Sequence, residues 1–167
     1  MNNEKERRAF LALCLERHLT RDISALLRRL SINTYRQYQI TRQGISGTVN
    51  WTKTLQARIT SGLNDGTIFV TAENYNDTDT PPNRCLKFLL ARLNNLAAEE
   101  LKDPALAGPA LLTLKKETEA LLASPRLKKV TLPRHLNAGE VNKLCSHKEK
   151  LYRSVGQACR EYLRSLT

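Results

Sequence analysis

Residues 80–101 read TPPNRCLKFLLARLNNLAAEEL. Thr80 is a helix-capping residue, and Pro81 suits the first helical position, where no backbone donor is needed. Leu86, Leu89, Leu90, Leu93, Leu96 and Ala97 then recur at three- and four-residue steps. That spacing lines one side of a helix from Pro81 to about Leu101 with apolar groups. A stripe so long must be buried against other helices, so this segment predicts a helical core.

The flanking sequence supplies the other helices. Glu4 to His18 carries Phe10, Leu13, Cys14 and Leu15 toward one side. Thr20 is expected to cap a second helix, with Asp22 in its first turn and Ile23, Leu26, Leu27 and Leu30 at helical spacing. Downstream, Asp103-Pro104 and Gly108-Pro109 interrupt the pattern. A helix from about Pro109 to Ala123 follows, bearing Leu111, Leu112, Leu114, Leu121 and Leu122. Ser124-Pro125 ends it, and one or two helical turns are expected around Val141 and Leu144. A last helix, Ser146 to Leu166, puts Leu151, Tyr152, Val155, Cys159, Tyr162 and Leu166 on one face.

Between the second helix and Thr80 the periodicity changes. Tyr35 to Arg42 alternates and is rich in strand formers, Gly44 and Gly47 flank a turn, and Thr48 to Trp51 is extended. Residues 52–60 form a short helix with Leu55 and Ile59 four apart, and Asn64-Asp65-Gly66 is a turn. Thr67 to Ala72 is a strand, and Glu73 to Thr80 a polar loop. The expected class is therefore mainly α with a small sheet (α+β). It is a helical bundle with an inserted two- or three-stranded antiparallel sheet, forming one domain over residues 1–167 in segments 1–33, 34–80 and 81–167.

Twenty-seven Lys and Arg against 16 Asp and Glu leave a formal charge of +11 at pH 7. Such a surplus concentrates polyanions around the molecule and speeds their arrival, and nucleic acid is the first candidate. The alternatives are a basic surface that serves solubility or one that docks on an acidic protein. The N-terminal MNNEKERRAF is charged and lacks a signal-peptide core, and no apolar run approaches bilayer length. Cys14, Cys85, Cys145 and Cys159 are scattered, so free thiols and a cytoplasmic location are expected. Cys14 with His18, and Cys145 with His147, lack the spacing of structural zinc sites, and there is no GxxxxGK loop. No metal, cofactor or small-molecule substrate is expected.

Three segments occur in an order shared with a known family. These are Tyr35-Arg36, then GISGTVNWTKTL over residues 44–55, then TPPNRCLKFLL over residues 80–90. Gly47, Val49, Trp51, Thr54, Asn83, Arg84 and Lys87, with Tyr152-Arg153 more loosely, make the chain resemble restriction components of the McrC type. Such proteins join a region of this kind to a PD-(D/E)xK nuclease and partner a nucleotide-driven motor acting on DNA. This chain departs from that plan. Glu117-Thr118-Glu119 and Lys148-Glu149-Lys150 do not have the order that the nuclease needs. The resemblance thus implies a stand-alone, non-catalytic subunit of a prokaryotic defence system, with cutting and motor chemistry in partner proteins.

Candidate phosphate-contacting residues follow from charge density. Arg84 and Lys87 share a face in the first turns of a helix; the alternative is that Asn83 and Arg84 tie down the preceding loop. Lys53 and Arg58 flank Trp51, which either stacks on a base or, as is commoner for a lone Trp, fills a core. Arg7, Arg8, Arg17, Arg21, Arg28 and Arg29 form one candidate set, densest at Arg28-Arg29, and Arg126, Lys128, Lys129 and Arg134 form a second, densest at Lys128-Lys129. Any such run is also compatible with a merely solvated face. Two functions are consistent with these features. One is backbone binding of DNA within a defence complex. The other is a structural adaptor that bridges a nuclease and an SMC-type or AAA-type ATPase without touching DNA.

Overall fold

The computed structural model describes residues 2–42, 44–62, 65–103 and 107–165, with side chains from residue 7 onward. In chain order the elements are α1 (Asn2–Glu16), α2 (Leu19–Leu26), a 3₁₀ turn (Leu27–Arg29), β1 (Asn33–Thr41), β2 (Thr48–Val49), α3 (Trp51–Thr60) and β3 (Phe69–Asp77). These are followed by α4 (Pro81–Glu100), α5 (Pro109–Leu122), α6 (Pro125–Lys128), α7 (Ala138–Cys145) and α8 (Lys150–Arg164). The expected mixture of a helical bundle and a small antiparallel sheet is what the chain forms. Two compact units result: Met1–Ser31 with Thr78–Thr167, and the inserted Ile32–Asp77.

In the helical unit α4 is the central element, packing against α1, α5, α7 and α8. Leu86, Leu89, Leu90 and Leu93 are wholly buried there, together with Ile23 and Leu26 of α2 and Val155 of α8. Each such side chain stabilises the fold by about 1.5–3 kcal/mol relative to exposure. Tyr162 meets Phe10 and Phe88 with ring centroids 5.6 and 5.8 Å apart. At Gly156 of α8 a Cβ would come within 2.7 Å of the Cys145 backbone nitrogen, so the absence of a side chain lets α7 and α8 approach closely.

The sheet has the order β1-β3-β2. β1 pairs antiparallel with β3 in one unbroken register from Asn33↔Asp77 to Thr41↔Phe69. Thr48 and Val49 of β2 pair with Ala72 and Thr71 on the other side of β3. Gly47, at φ 80°, leads into β2, and a Cβ there would lie 2.7 Å from the Ala72 carbonyl oxygen. Asn50 caps α3 by accepting from the Lys53 N–H at 3.0 Å. Thr54 is fully buried, and its hydroxyl oxygen accepts from the Val70 N–H at 2.9 Å. The helix therefore continues the edge that β2 begins.

Several local expectations are corrected. β3 runs to Asp77, so residues 73–77 are strand and not loop. Pairing with β1 supplies their backbone partners and overrides weak strand propensity. Helix α2 starts at Leu19 behind His18 at φ 49°, and Thr20 does not cap it; its hydroxyl donates to Glu117 instead. Thr80 stands at the N-cap of α4, but its hydroxyl makes no capping bond. Pro81 and Pro82 remove the first two N–H groups of the helix, including one that a capping oxygen would accept. Asn64 of the expected turn, Pro104 of the expected break and Leu166 of the last helix lie outside the described residues. No helix among the described residues is long and apolar enough to cross a membrane.

Candidate nucleic-acid interface

Helix α2 buries Leu19, Ile23 and Leu26, which turns Arg21 and Ser24 outward. The 3₁₀ turn then buries Leu27 and leaves Arg28 and Arg29 exposed. Across from them α5 contributes Glu117 and α8 contributes Leu151. Together these groups line an open cleft of about 1040 Å³. The Glu117 carboxylate accepts a hydrogen bond from the Thr20 hydroxyl at 2.5 Å. Arg21, Arg28 and Arg29 form no ion pair among the described residues.

Arg126 of α6 reaches the 3₁₀ turn that carries two of these arginines. Its Nη1 donates to the carbonyls of Leu27 (2.9 Å) and Arg28 (3.0 Å), which tethers α6 to the 3₁₀ turn. Lys128 and Lys129 at the end of α6, and Arg134 beyond it, are exposed and likewise make no ion pair among the described residues. The charge is unevenly shared. The inserted unit holds Arg36, Arg42, Lys53 and Arg58 against Asp65, Glu73 and Asp77, a net +1, so +10 of the total +11 belongs to the helical unit.

The other proposed contacts have internal partners. Arg84 Nε and Nη2 each lie 2.9 Å from Asp79 in a two-pronged pair. Asp79 also accepts from the Thr131 N–H (2.8 Å) and hydroxyl (2.7 Å). Chiefly through Arg84, its carboxyl is held well below the usual carboxylate range, against the opposing effect of desolvation. Lys87 Nζ donates to the carbonyls of Leu127 (2.8 Å) and Val130 (2.6 Å), closing the α6 turn. Lys53 Nζ sits 3.4 Å above the Tyr38 ring. Arg58 donates to the carbonyls of Ile68 (2.9 Å) and Gly66 (2.6 Å) and lies 4.9 Å over Phe69.

Asn83 is wholly buried and makes three bonds. Its Nδ2 donates to the carbonyls of Ser31 (2.9 Å) and Thr78 (2.7 Å), and its Oδ1 accepts from the Tyr152 hydroxyl. The same hydroxyl oxygen accepts from the Ser31 N–H at 2.7 Å. Ser31 and Thr78 are the residues of the helical unit that flank the insertion, so Asn83 and Tyr152 knot its two chain crossings together. Arg153 Nη1 adds bonds to the carbonyls of His147 (2.9 Å) and Lys148 (3.0 Å). Several residues that carry the family resemblance are thus framework.

Trp51 is not core, contrary to expectation. It is 60 % exposed, with its ring edge-on to Phe69 at 6.3 Å. The inward position of α3 is occupied by Thr54, whose hydroxyl serves the strand, so Trp51, Leu55 (55 %) and Ile59 (76 %) form an exposed stripe at four-residue steps. Spacing located the stripe but not the side it faces. Of the N-terminal cations expected from the sequence, Arg21, Arg28 and Arg29 come together at the cleft, whereas Arg7 and Arg8 pair with Glu99 and Glu100.

Three of the four thiols are buried and held protonated. Burial pushes Cys14 up to about 12 and Cys85 up to about 11, and raises Cys159 as well. A thiol held protonated is a poor nucleophile. Among the described residues no group of three His, Cys, Asp or Glu side chains converges as a metal site. In comparison with known proteins, no family model matches this chain and no characterised protein is significantly similar to it.

Proposed function

We propose that this chain is a non-catalytic DNA-backbone-binding subunit of a prokaryotic antiviral or anti-plasmid complex, acting in the cytoplasm beside a separate nuclease and motor ATPase. The single observation that carries the DNA reading is the cleft between α2, α5 and α8, where Arg21, Arg28 and Arg29 stand together without ion-pair partners among the described residues. Exposed guanidinium groups favour phosphate oxygens over base edges when no rigid polar framework orients them, so little sequence preference is expected. The defence setting draws on the McrC-type resemblance around Gly47–Thr54 and Asn83–Lys87.

The experiment is duplex binding by the purified chain as a function of salt. Affinity should fall steeply as salt rises, because phosphate neutralisation releases counterions. Arg28→Gln/Arg29→Gln should lower the log–log salt slope by about 2 through the loss of two phosphate contacts. Salt-independent binding, or an unchanged slope in the variant, refutes the reading.

A second reading, an adaptor that docks a nuclease or ATPase without DNA contact, is favoured by the exposed Trp51–Leu55–Ile59 stripe. Exposed apolar groups clustered on one helix suit a protein partner. It predicts no duplex binding at any salt. It also predicts that Leu55→Asp/Ile59→Asp abolishes the capture of a nuclease or ATPase that co-purifies with the wild type.

A further inference from the structure

Of the exposed large apolar residues, Ile32, Tyr35, Tyr38, Ile40, Ile45, Trp51, Leu55, Ile59 and Tyr75 lie in the inserted unit, against Leu112 and Leu132 in the helical one. The inserted unit is also the nearly neutral part of a strongly basic chain, at net +1. Apart from the α3 stripe, its most open element is β1. This strand is nine residues long and occupies one edge of the sheet. Residues 33–38 and 40 are exposed, so both of its faces are open, and Ile40 is 67 % accessible.

Edge strands in stable monomers are normally blunted by charged side chains, above all lysine, or by proline, a bulge or shortness, and β1 carries one charge, Arg36. NTYRQYQIT has no lysine, proline or glycine, and its register with β3 is unbroken from end to end. Alternate residues along it direct backbone donors and acceptors away from β3. Such an edge is a template for another strand.

We infer that β1 pairs antiparallel with β1 of a second copy about a two-fold axis at Gln37, joining two sheets into one of six strands. Two features favour a second copy as the occupant. The first is charge. Two chains of +11 repel each other least where each is nearly neutral, and that is the inserted unit. An acidic partner would be drawn instead to the helical unit. The second is the strand's own pattern. Antiparallel pairing about Gln37 sets Arg36 opposite Tyr38, Tyr35 opposite Gln39 and Thr34 opposite Ile40 of the other copy. No two like charges stand directly opposite, and arginine meets an aromatic ring. A closed two-fold contact of this kind also covers the β1 edge of each copy at once, whereas a head-to-tail contact would propagate. The inference does not depend on DNA binding.

The test measures the mass of the full chain by sedimentation equilibrium, without DNA, at moderate salt. The wild type should weigh twice the monomer at micromolar concentration. Thr34→Lys/Ile40→Lys sets lysines opposite each other twice in the pairing and should leave monomers. Thr34→Lys/Ile40→Glu sets opposite charges there and should restore the dimer. Both positions are solvent-exposed, and circular dichroism checks that each variant is folded. Gln37→Cys should form an intermolecular disulfide on oxidation, because directly opposed strand residues stand about 4.5–5.5 Å apart at Cα, within disulfide reach. A monomeric wild type overturns the inference, and so does a double-lysine variant that remains dimeric or a Gln37→Cys chain that does not cross-link. Capture of a different protein by a chain that is monomeric alone would assign the edge to that protein and overturn self-pairing as well.

Discussion

Replacing Asn83 with alanine should be among the most damaging single changes in this molecule that leave its apolar core intact. The side chain is inaccessible to solvent and holds three partners: the Ser31 carbonyl at 2.9 Å, the Thr78 carbonyl at 2.7 Å and the Tyr152 hydroxyl. Truncation strands the Ser31 carbonyl and the Tyr152 O–H donor, while the Thr78 carbonyl keeps the Thr80 N–H at 2.9 Å. A buried group left without its bond costs about 1–3 kcal/mol. The Tyr152 hydroxyl is buried, so about 2 kcal/mol is assigned to its lost acceptor, while the Ser31 carbonyl is only partly buried and contributes about 0.5–1 kcal/mol. The expected loss is about 2.5–3 kcal/mol, a large share of the 5–15 kcal/mol typical of a domain. Tyr152→Phe removes the hydroxyl that bonds both Asn83 and the Ser31 N–H, and should cost about 2–3 kcal/mol. Because the two residues share one network, the double variant should fall short of additivity by about 1–2 kcal/mol. Urea unfolding followed by far-ultraviolet circular dichroism, with m-values compared, measures each quantity. A loss below about 1 kcal/mol for Asn83→Ala, or strict additivity with Tyr152→Phe, would refute the knot as a source of stability.

Other perturbations have equally definite signs. Gly156→Ala should destabilise by about 1–3 kcal/mol through overpacking, although the same change in an exposed helix stabilises by about 1 kcal/mol. The reason is that the new Cβ meets backbone atoms of Leu144 and Cys145 at 2.7–2.8 Å; a higher Tm for the variant would contradict the close α7–α8 crossing. Gly47→Ala combines a left-handed φ of 80° with a 2.7 Å approach to the Ala72 carbonyl oxygen, whereas Gly62→Ala at φ 70° meets nothing. Hydrogen exchange in β2 and β3 should therefore quicken far more in the first than in the second. Asp79 has its folded-state pKa depressed, chiefly by Arg84, so its contribution is complete above the unfolded carboxyl pKa of about 3.9 and is lost as pH falls through the folded value. The Tm gap between wild type and Asp79→Asn should hold from pH 7 to about 5 and narrow below about 4; a constant gap down to pH 3 would exclude that linkage.

Much of this architecture was legible in residue spacing. The leucine ladder of residues 86–97 defines α4 because a 3.6-residue period places every member on one side, and that side is buried as expected. The alternation over 35–42 and the run TIFVTA mark β1 and β3 for the same kind of local reason. Their full lengths were not legible, since residues 73–77 are strand only because β1 lies beside them. Nor was the direction of α3, where Thr54 turns inward to bond the Val70 N–H and the apolar residues turn out.

The candidate site divides in the same way. Composition alone determined that the chain carries +11, and local density singled out Arg28, Arg29 and residues 126–134. Only the tertiary structure decided which of those cations are engaged. Lys87 meets carbonyls 40 and 43 residues away, and Arg126 meets carbonyls 99 and 98 residues away, while Arg21, Arg28 and Arg29 gather around one cleft. Helix and strand periods are short-range properties of the chain and can be read in order. Whether a charged group is neutralised depends on atoms that are near only after folding, because Coulombic and hydrogen-bond energies fall with distance in space and not in sequence.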